Sequence, residues 1–275
     1  MPDREVCMNY SDLHTHTVFS DGQNTIEEMV RAAIRKNMIS IGISDHSFTA
    51  FDRRYCMEEE RLTAYLAEIR RVGEAYRDQI EVYAGLECDG YSEPENRAAF
   101  DYLIGDCHYI RTEDGYHSVD HAADEQRAVI DTYFRGDSMA YARRYYETYA
   151  ERTLVQRPDL LGHFDLVAKF GFVDEDAPAY RAVAAEALSA CLAVTPIVEI
   201  NTGAMLRKLR SHPYPAGFLL KELRVRGGRV ILSSDSHRAD TLTGCFGTAV
   251  EVLRDAGFDS MMVFRGGQFD EVGLP

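Results

Sequence analysis

The chain has 275 residues and a formal charge of −15, enough length for one large α/β domain and too acidic for the broad Lys/Arg grip that long nucleic acid requires. Its six cysteines, Cys7, Cys56, Cys88, Cys107, Cys191 and Cys245, form no CxxC pair and no dense framework, which argues against a zinc ribbon or disulfide scaffold and fits free thiols in a reducing cytoplasm. The opening "MPDREVCMNY" has no apolar core of signal-peptide length, and no apolar run approaches the roughly 18 residues of a membrane span, so a soluble, cytoplasmic protein with no membrane partner is expected.

The first element is "SDLHTHTVFSDG", residues 11–22, a strand running into a turn. Side chains alternate along a strand, so His14 and His16 face the same way, with Asp21 in the turn that follows. Two imidazoles on one face suggest a metal, although a pair of surface histidines explains this spacing equally well when it is taken alone. "TIEEMVRAAIRKN" follows with apolar residues at helical spacing, acids early and bases late, and "MISIGISDH" is a short strand. "EEERLTAYLAEIRRVGEAYRD" predicts a helix, and "IEVYAGLEC" and "FDYLIGDCHYI" predict strands. Residues 110–126 are the least regular stretch and are expected to form a long functional loop. Beyond them "MAYARRYYETYAERTL" predicts a helix whose aromatics belong mostly to the core, ahead of the strand "DLLGHFDL". The helix "AYRAVAAEALSACLAV" precedes "PIVEIN", and the helix "AGFLLKELRVRG" precedes "RVILSSDSH". A last helix and strand run from about Gly247 to Phe264. This alternation predicts a mostly parallel sheet covered by helices, and with no Pro-, Gly- or Ser-rich linker, residues 1–275 are expected to form one domain.

Strand after strand ends in a metal-binding residue type: His14 and His16, Asp45 and His46, Glu87, His108, His163, then Asp235 and His237. Parallel α/β barrels gather the C-terminal ends of their strands on one face, which would bring these residues together. A lone histidine at a strand end is usually an ordinary hydrogen-bonded residue, and His117, His121 and His212 are read that way. Repetition at successive strands points instead to a multinuclear site of imidazoles and carboxylates. Asp45 is expected to orient a ligand from outside the coordination sphere rather than to bind metal itself.

The ordered set "DLHTHTVFSDG", "GISDHS", "GLECDG", "DYLIGDCHYI", "LGHFDLVAKFG", "EINTGA" with the later "HPYP", and "SSDSH" resembles the motifs of the PHP (polymerase and histidinol phosphatase) superfamily, within it the histidinol-phosphate phosphatase branch. The match runs from Asp12 to His237. The resemblance implies an α/β fold of TIM-barrel-like type, a distorted (β/α)7 barrel with a trinuclear metal centre at the C-terminal ends of the strands. Carried over by position, it assigns one ion to His14, His16, Glu87 and Asp235, a second to Glu87 as a bridge with His108 and His163, and a third to Asp21, His46 and His237. Such a mixed N and O set suits three divalent ions, Zn, Fe or Mn.

Phosphate monoesters are anionic and resist attack by another anion. Closely spaced metals answer this by acidifying bound water, neutralising phosphoryl oxygens and aligning nucleophile with leaving group. The expected activity is therefore hydrolysis of a small phosphomonoester by metal-activated hydroxide, with L-histidinol phosphate as the leading substrate. Glu87 would bridge the metals, and an Asp or His beside the third metal would protonate the leaving group, with Asp21 and His237 in the right region if they are not fully committed as ligands. Lys169 and Arg207 are the candidate phosphate contacts, with solvated surface charge as the plain alternative for each. Related phosphatases often carry a basic pair in the segment where Ala168 precedes Lys169 here, which bears on the identity of the alcohol rather than on the reaction. Two other readings are a phosphoesterase acting on nucleotides or short oligonucleotides and a metal-binding module without catalysis.

Overall fold

The computed structural model describes residues 10–92 and 96–275, so Cys7 lies outside the described residues. Strand β1 (Ser11–Asp12) leads to helix α1 (Ile26–Arg35), β2 (Ser40–Ile43), α2 (Leu62–Tyr76), β3 (Glu81–Asp89) and β4 (Tyr102–Asp106). Thr25 starts α1 with a reciprocal cap: its side chain accepts from Glu28 N while the Glu28 carboxylate takes Thr25 N. Such a cap fixes where the chain leaves the turn that carries Asp21. After β4 come the hairpin β5 (Tyr109–Thr112) and β6 (Gly115–Ser118), helices α3 (Ala123–Phe134) and α4 (Ser138–Gln156), and β7 (Leu160–Leu161). The chain then forms α5 (Pro178–Leu192), β8 (Ile197–Asn201), the short α6 (Gly203–Leu206), α7 (Gly217–Val225), β9 (Arg229–Ser233), α8 (Phe246–Asp255), β10 (Ser260–Arg265) and β11 (Gln268–Gly273).

The main sheet has the order β1-β2-β3-β4-β7-β8-β9-β10-β11, and neighbours are parallel until β11 turns back antiparallel on β10. It curls until its far strands approach β1. A parallel bridge joins Thr15 to Ser236, and Phe264 N donates to Ser11 Oγ, giving a partly open, distorted barrel. Leu13, Tyr102, Ile104, Leu160, Ile197, Ile231, Met262 and Phe264 pack together from strands around the curl and fill its inside. Tyr102 lies across Gly42 and Gly85: a Cβ at either would come within 2.0 Å and 2.2 Å of its phenol. Its hydroxyl donates to Leu13 O, directly before His14, so this packing supports the first ligand strand from below.

Outside the curl, α1 and α2 cover β2 and β3. Tyr141, Tyr145, Tyr146 and Tyr149 of α4 are buried with Phe164 and Tyr180, in keeping with the core role expected of that helix. No described helix is long and apolar enough to cross a membrane.

The structure differs from the sequence-based expectation in three places. Residues 110–126 are not an open loop but a hairpin and the first turn of α3. Helix α3 was not anticipated because it opens on Ala122, without a side-chain cap, and buries only Gln126, Val129 and Ile130, too few residues for a clear apolar stripe. Strand β11 was also not anticipated, since its residues are exposed or half-buried at a sheet edge.

Candidate metal centre

The strands end at one rim, and their polar residues meet there around Glu87. This residue is 1% exposed near the end of β3. Its Oε1 lies 3.1 Å from His14 Nε2, 3.0 Å from His163 Nε2 and 3.7 Å from His108 Nε2. Its Oε2 lies 2.8 Å from His46 Nδ1 and 3.4 Å from His16 Nε2. Asp235 brings Oδ1 to 3.3 Å from His16 Nε2 and 3.9 Å from His14 Nε2. At the more open side, Asp21 Oδ1 is 3.7 Å from His16 Nδ1 and 3.8 Å from His46 Nε2, while Asp21 Oδ2 is 3.2 Å from His237 Nε2.

Ligand atoms fall into three groups, each within 4.8 Å: His14, His16 and Glu87; Glu87, Asp106, His108 and His163; and His16, Asp21, His46 and His237. Eight of the nine residues singled out as ligands in the sequence fall in these groups, and the ninth, Asp235, lies outside them but beside His14 and His16. The structure adds Asp106 to the second group and lets His16 face the third.

Several of these atoms are buried without a hydrogen-bond partner: His14 Nε2, both His16 nitrogens, Glu87 Oε2, both Asp106 oxygens, and Nδ1 of His108 and His163. Apart from His163 Nε2 with Glu87 Oε1 and His237 Nε2 with Asp21 Oδ2, the rings approach these clustered carboxylates closely but not at hydrogen-bonding angles. Each unsatisfied buried polar atom costs about 1–3 kcal/mol, so such a concentration of aimed lone pairs is what divalent cations would satisfy.

Electrostatics agree with a cation site. Burial and the neighbouring His237 and His46 rings push His16 down to about 3, leaving a neutral imidazole with one ring nitrogen's lone pair to give. Burial works against protonation of His46 too, but Glu87 and Asp21 outweigh it and raise it to about 9. Against its own burial, Glu87 is held well below the carboxylate range by His14 and His46. Positive charge is thus already drawn to the carboxylates by protonated rings that a metal would replace.

The rim opens into a cavity of about 690 Å³ lined by Asp21, His46, Glu87, His108, Lys169 and Arg207 among others. Both candidate phosphate contacts reach it, though neither is free. Lys169 Nζ sits 2.9 Å from Asp120 Oδ2 and 2.8 Å from Asp120 O, and Arg207 Nη2 donates to Asp235 Oδ2 at 3.0 Å. The Asp45 carboxylate bonds none of the clustered side chains; it accepts from the backbone N–H and hydroxyl of Thr17 and of Ser20 and so shapes the turn leading to Asp21, while the Asp45 carbonyl accepts from Glu87 N. His117 bonds Thr112, His212 lies by Arg210, and His121, at the cavity wall, pairs with Glu125.

Sequence reasoning missed Glu199 and Asp106. Glu199, fully buried in β8, accepts from His14 Nδ1 at 2.8 Å and from the backbone N–H of His163 at 2.6 Å. The signal was a carboxylate inside the apolar run "PIVEIN", a place where an unpaired charge is costly. For Asp106 it was the i, i+2 spacing to His108.

A family model described as the PHP domain matches residues 12–203. Among curated relatives, the chain is 29% identical over 257 residues to the "probable histidinol-phosphatase" of Deinococcus radiodurans, covering 90% of this chain and 93% of that one. It is 25% identical over 254 residues to the histidinol-phosphatase of Bacillus subtilis, covering 84% of this chain and 95% of that one. Among solved structures, the fold matches that of histidinol phosphate phosphatase from Lactococcus lactis subsp. lactis, complexed with Zn, L-histidinol and phosphate, at a TM-score of 0.71 and 21% identity over 95% of this chain and 99% of that one. The curled parallel sheet, the ligand types gathered at its rim and a family match over most of the chain lead to one assignment: this protein belongs to the PHP domain family.

Proposed function

We propose that the protein is a metal-dependent phosphatase that hydrolyses L-histidinol phosphate to L-histidinol and inorganic phosphate, acting as a single domain in the reducing cytoplasm. The observation that carries this reading is Glu87, buried among five imidazoles whose lone pairs face the floor of an open cavity. The histidinol-phosphatase names of the relatives supply the substrate. His14, His16, Glu87 and Asp235 would hold one ion, Glu87, His108 and His163 a second, and Asp21, His46 and His237 a third, with Zn, Fe and Mn all suited to the donor set. When bound, such ions acidify coordinated water and neutralise phosphoryl oxygens.

The chain's own residues do the rest. Arg207 and Lys169, both on the cavity wall, orient the phosphate oxygens by charge-assisted hydrogen bonds. His237 Nε2 and Asp21 Oδ2, 3.2 Å apart and only partly buried, form the pair able to hand a proton to the departing alkoxide when the third ion leaves one of them uncoordinated. Free thiols at the five described cysteines fit the reducing compartment.

The test is phosphate release from L-histidinol phosphate beside AMP and a short oligonucleotide, on protein of known metal content, before and after chelation and after adding back Zn, Mn or Fe. The expected result is a metal-restored kcat/KM of about 10⁴ M⁻¹s⁻¹ or more for histidinol phosphate. Faster turnover of AMP would overturn the substrate assignment and leave the metal centre standing. Full activity in thoroughly chelated protein would overturn both.

A further inference from the structure

Asp106 closes β4 two residues before His108, and strand alternation turns both side chains to the same face. It is 3% exposed, and neither carboxylate oxygen has a hydrogen-bond partner. His108 Nδ1 comes to 3.1 Å from Asp106 Oδ1, yet both atoms remain without a hydrogen bond, so the approach lacks the angle of an orienting contact. Among the ion pairs of the described residues, Asp106 meets only His108 and has no Arg or Lys. One of its oxygens belongs with the ligand atoms of Glu87, His108 and His163, all within 4.8 Å of one another. A second buried carboxylate beside Glu87, with neither donors nor a fixed cation, is destabilising unless a cation or a shared proton lies between them, and the imidazoles of His108 and His163 in the same cluster supply the further ligand atoms that a cation takes and a proton does not.

We propose that Asp106 is a further ligand of the ion held by Glu87, His108 and His163, giving that ion two carboxylates and two imidazoles and shifting its preference toward the harder Mn²⁺. The inference rests on the metal centre proposed above, whose nine assigned ligands do not include it. Carboxylate oxygens favour Mn²⁺ relative to softer donor sets, so the extra oxygen acts on ion choice as well as on affinity.

Metal-free wild type, Asp106→Asn and Asp106→Ala are dialysed to equilibrium against Mn²⁺ and, separately, Zn²⁺, and bound metal is read by elemental analysis. A crystal structure of the Mn²⁺-loaded wild type accompanies them, and it decides the question if the variants fail to fold. Both variants are expected to lose about 100-fold or more in Mn²⁺ affinity at one class of site, at or beyond the upper end of what removing an outer-shell partner costs, with a smaller loss for Zn²⁺. In the loaded crystal an Asp106 oxygen is expected at about 2.0–2.3 Å from the ion. Near-wild-type Mn²⁺ affinity in Asp106→Asn with loss in Asp106→Ala would make Asp106 a positioning residue for His108 and overturn the proposal. So would a loaded crystal with both Asp106 oxygens beyond coordination distance of the ion. Wild type that takes up no metal would overturn the metal-centre reading itself, an outcome distinct from wild type that loads normally beside an unaffected Asp106→Asn.

Discussion

Glu199→Gln is a small change in shape with a large expected effect on metal binding. Glu199 Oε2 accepts from His14 Nδ1 at 2.8 Å and from Ser233 Oγ at 2.6 Å, and Oε1 accepts from His163 N at 2.6 Å and Asn201 Nδ2 at 2.8 Å. A carboxylate only accepts, so it fixes a proton on His14 Nδ1 and leaves Nε2, which faces Glu87, as the ligand atom. Glutamine must aim its NH₂ at one of the two donor pairs. Toward His163 it would meet a backbone N–H that cannot change. Toward His14 it meets a hydroxyl that can rotate and an imidazole that can move its proton to Nε2, the atom the metal needs. The fold tolerates this. Each bond falls from the roughly 1.5–3 kcal/mol of a charged acceptor toward the roughly 0.5–1.5 kcal/mol of a neutral one, while burying a neutral group relieves part of the loss. The metal does not escape it: losing an outer-shell partner costs about 10–100-fold in affinity, or about 1.4–2.8 kcal/mol. Titrating metal-free wild type and variant with Zn²⁺, with bound metal and phosphate release followed together, should show the variant's curve shifted to higher metal by that factor and much of kcat recovered in excess metal. Metal affinity within about twofold of wild type, in a variant with native circular dichroism, would refute the tautomer argument, because losses of that kind are about tenfold or more.

Two further outcomes are expected. Arg207→Ala should raise KM for the phosphomonoester about tenfold with little change in kcat, as removal of a contact made equally in ground and transition states does; steady-state kinetics reads this, and an unchanged profile would remove Arg207 from the site. Gly85→Ala places a Cβ 2.2 Å from Tyr102 Cζ and should lower stability by about 1–3 kcal/mol, measured as a shift in the urea midpoint, with no shift if Tyr102 does not pack there.

The ligand rim was legible because strand alternation and strand ends are local features. HxH on one face, an apolar run closing on DH or on SDSH, and a parallel α/β alternation are enough to predict convergence. What surrounds the rim was not legible, because it depends on contacts far apart in the chain. Glu199 is 185 residues from His14 and reads in the sequence only as a misplaced carboxylate. Lys169 looks like a free cation until Asp120, at the start of the α3 region, is folded against it. Asp45 follows the expected logic of an orienting carboxylate, but its target is the Thr17–Ser20 backbone rather than an imidazole. The 110–126 segment failed for a different reason: a four-residue hairpin strand and a helix with three buried residues carry too little periodicity to read.

The cavity wall also explains why basic side chains alone would not serve this site. It presents four cations, Arg54, Lys169, Arg207 and Arg238, and four carboxylates, Asp21, Glu87, Asp120 and Asp235. Each of those cations already has an acidic partner: Asp52 for Arg54, Asp120 for Lys169, Asp235 for Arg207 and Asp240 for Arg238. A phosphate dianion entering such a wall, on a chain of net charge −15, gains attraction from these four side chains only by breaking one of the pairs. Divalent ions seated on the imidazoles change that balance, since they add positive charge where the phosphoryl oxygens would lie without stripping a carboxylate of its partner. On the function proposed above, attraction would be the work of the metals, and the paired Lys169 and Arg207, able to exchange a carboxylate oxygen for a phosphate oxygen of similar geometry, would be left to set orientation and selectivity.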